Sequence, residues 1–390
     1  MLVFHSPLSL LHDPPHEILS GCLQPYFESP ERYYRILSAL VGPTLSSAAA
    51  AATAAGSHVG PWRAEERRLE WTRDEVLTSE LDRAVRAVHD GEYLDFLREI
   101  YDEWVAEGGS KDAALPETFL RGDMLLEPAS VGDGSDGKGS AIARIGRHSF
   151  DLSAPITADT YICALASTRV ALSALSALLD PDSPSPRRGV FALCRPPGHH
   201  ATPRLCGGYC FLNSAAVAAR EAQRLLAERR APPTPGGGGT SDMPRVAVLD
   251  VDYHHGNGTS QTFYADPSVL YVSLHGSPDY PYYTGAASEE GAPGAEGTNV
   301  NVPLPLGTDD DAYVEALERA VDRVRDWGPE VLVVSYVSHA PPSSVLTPPP
   351  SLSRSGQARA HRPEPDLTRP TNPRARARAA SASTPSVATR

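Results

Sequence analysis

The stretch RVAVLDVDYHHGN (residues 245–257) decides the fold. Its first half is a continuous apolar run of strand length, and its second half carries two acids, two histidines and an amide. Continuous Val/Leu runs of this length, separated by helices, are the pattern of strands buried on both faces of a parallel sheet. Two more such runs follow, VLYVSLH (269–275) and VLVVSY (331–336), the last after the helical DDAYVEALERAVDRVRDW (310–327). Upstream, GVFALCRPP (189–197) reads as a short strand ending in a Pro-containing loop. It is flanked by the helical stretches 157–179 and 211–230. Farther out, MLVF (1–4) reads as a strand, and FESPERYYRILSAL (27–40) as a helix with Ser29 as N-cap and Pro30 in the first turn. Apolar spacings of three and four residues predict helices over 81–108.

Three stretches of low complexity or Gly/Ser/Pro enrichment, 46–57, 127–140 and 231–243, read as insertions. Residues 337–390 have no Phe, Trp or Tyr and are rich in Pro, Ala and Arg, so a disordered tail is expected beyond a domain spanning 1–336. The formal net charge of −13 argues against direct nucleic-acid binding by the main body. Five widely spaced cysteines do not form a disulfide framework, which predicts a reducing compartment, cytoplasm or nucleus. No secretory signal is evident, and no apolar run is read as reaching the roughly 20 residues a membrane helix needs. Oligomeric state is not legible.

Open α/β sheets place ligand sites at the carboxyl ends of their strands. Three strand ends here carry polar clusters: His199 and His200; Asp250, Asp252, His254 and Asn257; Ser273 and His275. Asp252 and His254, two apart in an extended segment, face the same way. A carboxylate with an imidazole suits Zn²⁺ or Fe²⁺. A lone Asp-x-His is more often ordinary loop polarity; the His pair at a neighbouring strand end shifts the weight to a site. Vicinal histidines need partners if buried. Asp250 and Asn257 are candidates, the carboxylate raising the basicity of one ring and the amide orienting the other.

RPPGHHATPRLCGGYCFLNSAAVAA (195–219) and VAVLDVDYHHGNGTSQTFY (246–264) resemble the histone deacetylase superfamily. Within it they resemble most the acetylpolyamine amidohydrolases and class II-type deacetylases. LLHDPPHE (10–17), VHDGEYLDFL (88–97) and the segment 280–308 agree. The resemblance implies an arginase/deacetylase-type three-layer α/β fold with a central, mostly parallel sheet. It implies a hydrolase that releases acetate from an acetylated amine or an acetyl-lysine peptide. Asp252 and His254 would be two of three ligands to one catalytic Zn²⁺. His199 and His200 would be the catalytic pair, with Asp250 and Asn257 behind them. Gly208, Tyr209 and Tyr283 would line the substrate tunnel, and Ser273 with oxygens near Asp250 and His254 would hold a structural K⁺. Acidic rim residues such as Asp133, Asp136, Glu289 and Glu290 would bear on substrate charge.

The resemblance stops at Tyr336. The family supplies its third ligand from a Gly-x-Asp segment and its oxyanion-binding tyrosine from a Gly-Gly-Tyr segment. After Tyr336 this chain has no tyrosine, and its only acids are Glu364 and Asp366. The fold is therefore expected to lack its last strands, with VLVVSY left at an exposed apolar edge. Catalysis is expected to be impaired, and a non-catalytic, deacetylase-like binding protein is the alternative.

Overall fold

The computed structural model describes residues 1–41, 64–121, 139–182, 189–230 and 243–337. In order these form β1 (Leu2–His5), a 3₁₀ turn (Pro7–Leu11), β2 (His16–Leu19), β3 (Cys22–Pro25), α1 (Pro30–Val41) and β4 (Glu65–Arg68). Then come α2 (Arg73–Val76), α3 (Ser79–Arg86), α4 (Gly91–Ala106), α5 (Ala141–His148), α6 (Thr160–Leu178), β5 (Val190–Ala192) and α7 (Ser214–Arg229). The last elements are β6 (Val246–Asp250), α8 (Asn257–Phe263), β7 (Val269–Ser277), β8 (Asn299–Pro305), α9 (Asp310–Trp327) and β9 (Val331–Ser335). The insertion 46–57, most of 127–140 and 231–243, Asp133, Asp136 and the tail from residue 338 lie outside the described residues.

The fold is α/β with parallel strands, as the apolar runs predict. The strands form two parallel sheets, ordered β4-β1-β5 and β8-β7-β6-β9, beside a small antiparallel β2-β3 hairpin. All pairings within the two larger sheets are parallel.

Alternation along β6 and β7 divides their side chains between two helical layers. Val246, Val248, Val269 and Tyr271 pack with Ala216, Val217 and Ala219 of α7. Ala247, Leu249, Leu270 and Val272 face the other way, against Ala316, Ala320 and Val324 of α9. Each such buried Val or Leu contributes about 1.5–3 kcal/mol of transfer free energy. Helix–sheet–helix layering requires strands apolar on both faces, which is why these runs do not alternate with polar residues. Small residues on α7 and α9 let the helices approach the sheet.

Sequence reading misses four strands, β2, β3, β4 and β8. β4 is Glu-Glu-Arg-Arg, exposed throughout, and is a strand only because it pairs with β1. β8 has Pro303 and Pro305 within it. Among the described residues it pairs with β7 alone, so prolines are tolerated where an edge donor is not needed. β2 is short and joined to β3 by Ser20-Gly21, both at positive φ. The expectation of no membrane-length apolar run is corrected by α6, which is long and apolar enough by length and composition. It serves as a core helix: Cys163, Ala164, Leu165, Ala166, Val170 and Ala174 are all buried.

Candidate active site

The two strand ends at β5 and β6 meet. The loop after β5 is tied down by Arg195, which is fully buried and donates to the carbonyls of Ser9, His12 and Glu28. At the start of α7, the Asn213 side chain caps the helix by accepting from the Ala216 N–H (3.0 Å) and donates to the Ala201 carbonyl (3.2 Å). His89, from the loop before α4, accepts the Asn213 N–H (2.9 Å). Burial pushes His89 down to about 4, against smaller raising effects from backbone partners, so it is neutral near pH 7. This scaffold fixes the two residues that follow the Pro-Pro-Gly turn.

His199 and His200 lie with ring centroids 4.0 Å apart, both buried. His199 Nδ1 donates to Asp250 Oδ2 at 3.0 Å, and His200 Nδ1 donates to Asn257 Oδ1 at 2.7 Å in the tautomer the amide oxygen selects. Burial opposes charge on His199, but the carboxylates of Asp250 and Asp252 outweigh it and leave its pKa raised. His200 sits well below the ordinary imidazole value, first from burial and then from the neighbouring His199. The carboxylate and the amide therefore divide two chemically identical rings into a more basic one and a neutral one. Asp250 is itself fully buried and accepts further from the Asp252 N–H (3.2 Å).

Asp252 is buried and His254 half-buried; the carboxylate Oδ1 lies 3.4 Å from His254 Nδ1 and 3.7 Å from His199 Nε2. Ser273 stands level with Asp250 in the β6–β7 register, its hydroxyl 2.9 Å from His275 Nδ1. Gly208 lies flat on His200: at φ +55°, a Cβ there would sit 2.3 Å from the ring. Gly256 similarly leaves room for Asp250 Oδ2, which a Cβ would meet at 2.3 Å. Tyr209, at φ 65°, turns its ring edge-on to Tyr26 with centroids 5.4 Å apart.

A histone deacetylase domain matches residues 27–336. The chain belongs to that family. It is 36% identical over 340 residues to acetylpolyamine amidohydrolase 1 of Pseudomonas aeruginosa, covering 86% of this chain and 82% of that protein. Human histone deacetylase 7 is 41% identical over 152 residues, 37% of this chain and 14% of that protein. The crystal structure of an acetylpolyamine aminohydrolase from Burkholderia pseudomallei superposes with a TM-score of 0.65 at 34% identity, covering 86% of this chain and 81% of that one. The family is one of deacetylases and amidohydrolases, and the parallel α/β fold agrees with that of the crystal structure.

Within this deacetylase domain, one expected wall residue is placed differently. Tyr283 is 93% exposed. The tyrosine that meets the histidines is Tyr280, edge-on to His200 (centroids 4.9 Å) and to His254 (5.6 Å). Its hydroxyl donates to Asp151 Oδ2 at 2.7 Å, and the Gly208 N–H donates to the same oxygen at 3.0 Å. Burial and then the Asp151 carboxylate raise the Tyr280 pKa, so the phenol stays protonated. Sequence reasoning finds the cluster Tyr280-Pro281-Tyr282-Tyr283 but not which ring turns inward. It also passes over Glu17, buried beside Tyr209 and raised in pKa by its burial, though LLHDPPHE contains it. Asp151 has no local signal at all. Of the rim acids, Glu289 accepts the N–H groups of Gly285 (2.9 Å) and Ala286 (3.2 Å) and so braces its own loop; Glu290 is exposed.

Catalytic zinc sites use three protein ligands. Asp252 and His254 are the right donor types, but among the described residues no group of three His, Cys, Asp or Glu side chains is placed to hold one ion. Among the described residues, the donors do not add up to the three that such a site uses.

Proposed function

We propose that this chain carries the proton-handling half of a zinc-dependent amidohydrolase for N-acetylated amines, and that as written its turnover is impaired. The observation that carries the reading is the paired hydrogen bonding of His199 to Asp250 and His200 to Asn257, beside Asp252 and His254. Hydrolysis of an acetyl amide adds water to the carbonyl carbon, breaks the C–N bond and releases acetate and an amine. His200, neutral and with Nδ1 committed to Asn257, keeps Nε2 as an acceptor for the water proton. The same proton, returned from the imidazolium, protonates the departing nitrogen. His199 shares the proton inventory, its positive form stabilised by Asp250. Zn²⁺ is the metal that Asp252 and His254 suit, and K⁺ the ion that the family resemblance implies near Ser273; neither enters these steps.

Glu17 and Asp151 put carboxyl groups beside Tyr209 and Tyr280, which favours an amine chain carrying positive charge over a neutral one. Acetylpolyamines fit that charge, and acetyl-lysine peptides are the second substrate class. A missing oxyanion donor alone costs about 10²–10³ in kcat. The two-donor site also supports the second reading, a non-catalytic, deacetylase-like binding protein.

Acetate release from an acetylpolyamine and from an acetyl-lysine peptide, measured with zinc added stepwise, tests the proposal. Trace turnover that disappears in His200→Ala supports it. Undetectable release with retained binding of the acetylated amine favours the second reading. One tightly held zinc per chain with kcat in the usual enzyme range of about 1–10³ s⁻¹ would refute the impairment.

A further inference from the structure

Tyr253 stands in the chain between Asp252 and His254. It is 51% exposed, yet it is held on every other side. Its carbonyl accepts the Gly276 N–H at 2.8 Å. Its ring lies on Gly276 of β7, where a Cβ would meet Cζ at 2.9 Å. Its hydroxyl donates to Asp279 Oδ2 at 2.8 Å, and its ring stands edge-on to that of His254, with centroids 5.0 Å apart. A large ring fixed in this way and left half in water adds little to the core. What it offers is an aromatic surface beside the histidines.

Asp279 is the hub of that corner. Its Oδ2 takes the Tyr253 hydroxyl, its Oδ1 the Tyr280 N–H at 2.7 Å, and its carbonyl the Tyr282 N–H at 2.8 Å. Among the described residues no Arg, Lys or His side chain pairs with Asp279, nor with Asp151 at the hydroxyl of Tyr280. Burial and then the Asp279 carboxylate push the Tyr253 phenol up to about 12, so it stays protonated and keeps donating. A phenol that donates to a carboxylate has a more electron-rich ring, and such ring faces attract ammonium groups. A carboxylate with no cationic partner and an open ring face are together the complement of an organic cation. Tyr280 joins this corner to the site: its N–H is on Asp279, and its ring is edge-on to His200 and His254.

Resting on the amidohydrolase reading above, we infer that Tyr253 and Asp279 form an ammonium station at the rim, which takes the charged nitrogen at the far end of an acetylated diamine or polyamine. The chain of an acetylated diamine runs from the amide to an ammonium group. The side chain of an acetyl-lysine peptide ends instead in a backbone of neutral amides. The station therefore selects between the two substrate classes. It is separate from Glu17, which lies beside Tyr209, and from Asp151, which holds the opposite end of Tyr280.

Binding to the full chain, followed by NMR, tests this with three probes: N-acetyl-1,4-diaminobutane, its neutral isostere N-pentylacetamide, and tetramethylammonium, which has no acetyl end. The diamine is expected to bind about tenfold tighter than the isostere, and by less as salt is raised. Tyr253→Leu and Asp279→Asn should each cut that preference by about three- to fivefold. Both should leave the affinity for the isostere in place, which reports that the variants are folded. Tyr253→Phe, which keeps the ring, should retain most of the preference. The methyl signal of tetramethylammonium should move upfield over the Tyr253 ring and cease to do so in Tyr253→Leu. Equal affinity for the two acetamides overturns the inference. So does a preference that survives Tyr253→Leu combined with Asp279→Asn, which leaves the selection to Glu17 and Asp151. If neither acetamide binds, the amidohydrolase reading fails; tetramethylammonium seated on Tyr253 then still supports the station, and tetramethylammonium that does not respond to Tyr253→Leu overturns it.

Discussion

β6 and β9 are neighbours with almost the same composition, VAVLD against VLVVS, and opposite surroundings. β6 lies between two strands and two helical layers, and all five of its residues are buried. Among the described residues β9 has one neighbouring strand, and only Val331 and Ser335 of its five residues are buried. Composition states what environment a strand is built for; it does not supply the environment. The same difference governs chemistry. β6 delivers Asp250 to a buried ring nitrogen, whereas β9 ends in Ser335 and a 62% exposed Tyr336, which bring no carboxylate to the rim.

The widest separation between the two strands should appear in stability. Leu249→Ala in β6 is expected to cost about 2–5 kcal/mol in urea unfolding, by lost transfer and a residual cavity. Leu332→Ala in β9 should cost well under half of that. Equal losses would mean that β9 is covered in solution, and the contrast would fall.

Acid is the next test, because it loads the covered side. His89 is held at about 4 by burial, below the ordinary imidazole value. Between about pH 6.5 and 4 the unfolded chain takes up a proton that the folded chain refuses, so stability falls as pH falls through that window and levels off below it. For His89 alone the loss approaches about 3 kcal/mol. His12, also buried and lowered, adds in the same direction. Chemical unfolding from pH 7 to 4 measures it; His89→Gln should flatten the slope.

A third comparison concerns the strand ends. In metal-free protein, Asp250→Asn should lower the His199 titration, since burial is then opposed by the Asp252 carboxylate alone. Ser335→Ala should leave it in place. Imidazole proton shifts followed by NMR against pH distinguish the two. The smallest effect is expected from Val334→Lys. Stability should change by less than about 0.5 kcal/mol, because the side chain already faces water. Aggregation on concentrating the protein should decrease, since lysine on an edge blocks strand-to-strand pairing.

Much of the site is legible because its chemistry sits in two local motifs. His199, His200, Asp250, Asp252, His254 and Asn257 are each within a few residues of a strand end, and two extended segments suffice to bring them to one rim. What escapes is set by contacts distant in sequence. Tyr280 and Asp151 meet across 129 residues, and neither position differs locally from its neighbours. Glu17 enters beside Tyr209 from β2, far upstream of it in the chain. β4 escapes for the same reason: four charged residues become a strand only beside β1.

By itself, the sequence determined the parallel α/β architecture, the helical layers and the identity of the paired histidines with their carboxylate and amide partners. Apolar periodicity and strand-end polarity are written locally, residue by residue. Only the tertiary structure decided which tyrosine turns inward, which carboxyls stand beside it, and that the parallel strands among the described residues divide into two sheets. Those outcomes depend on which surfaces remain to be covered once every local element has formed, and that is a property of the packed chain rather than of any segment in it.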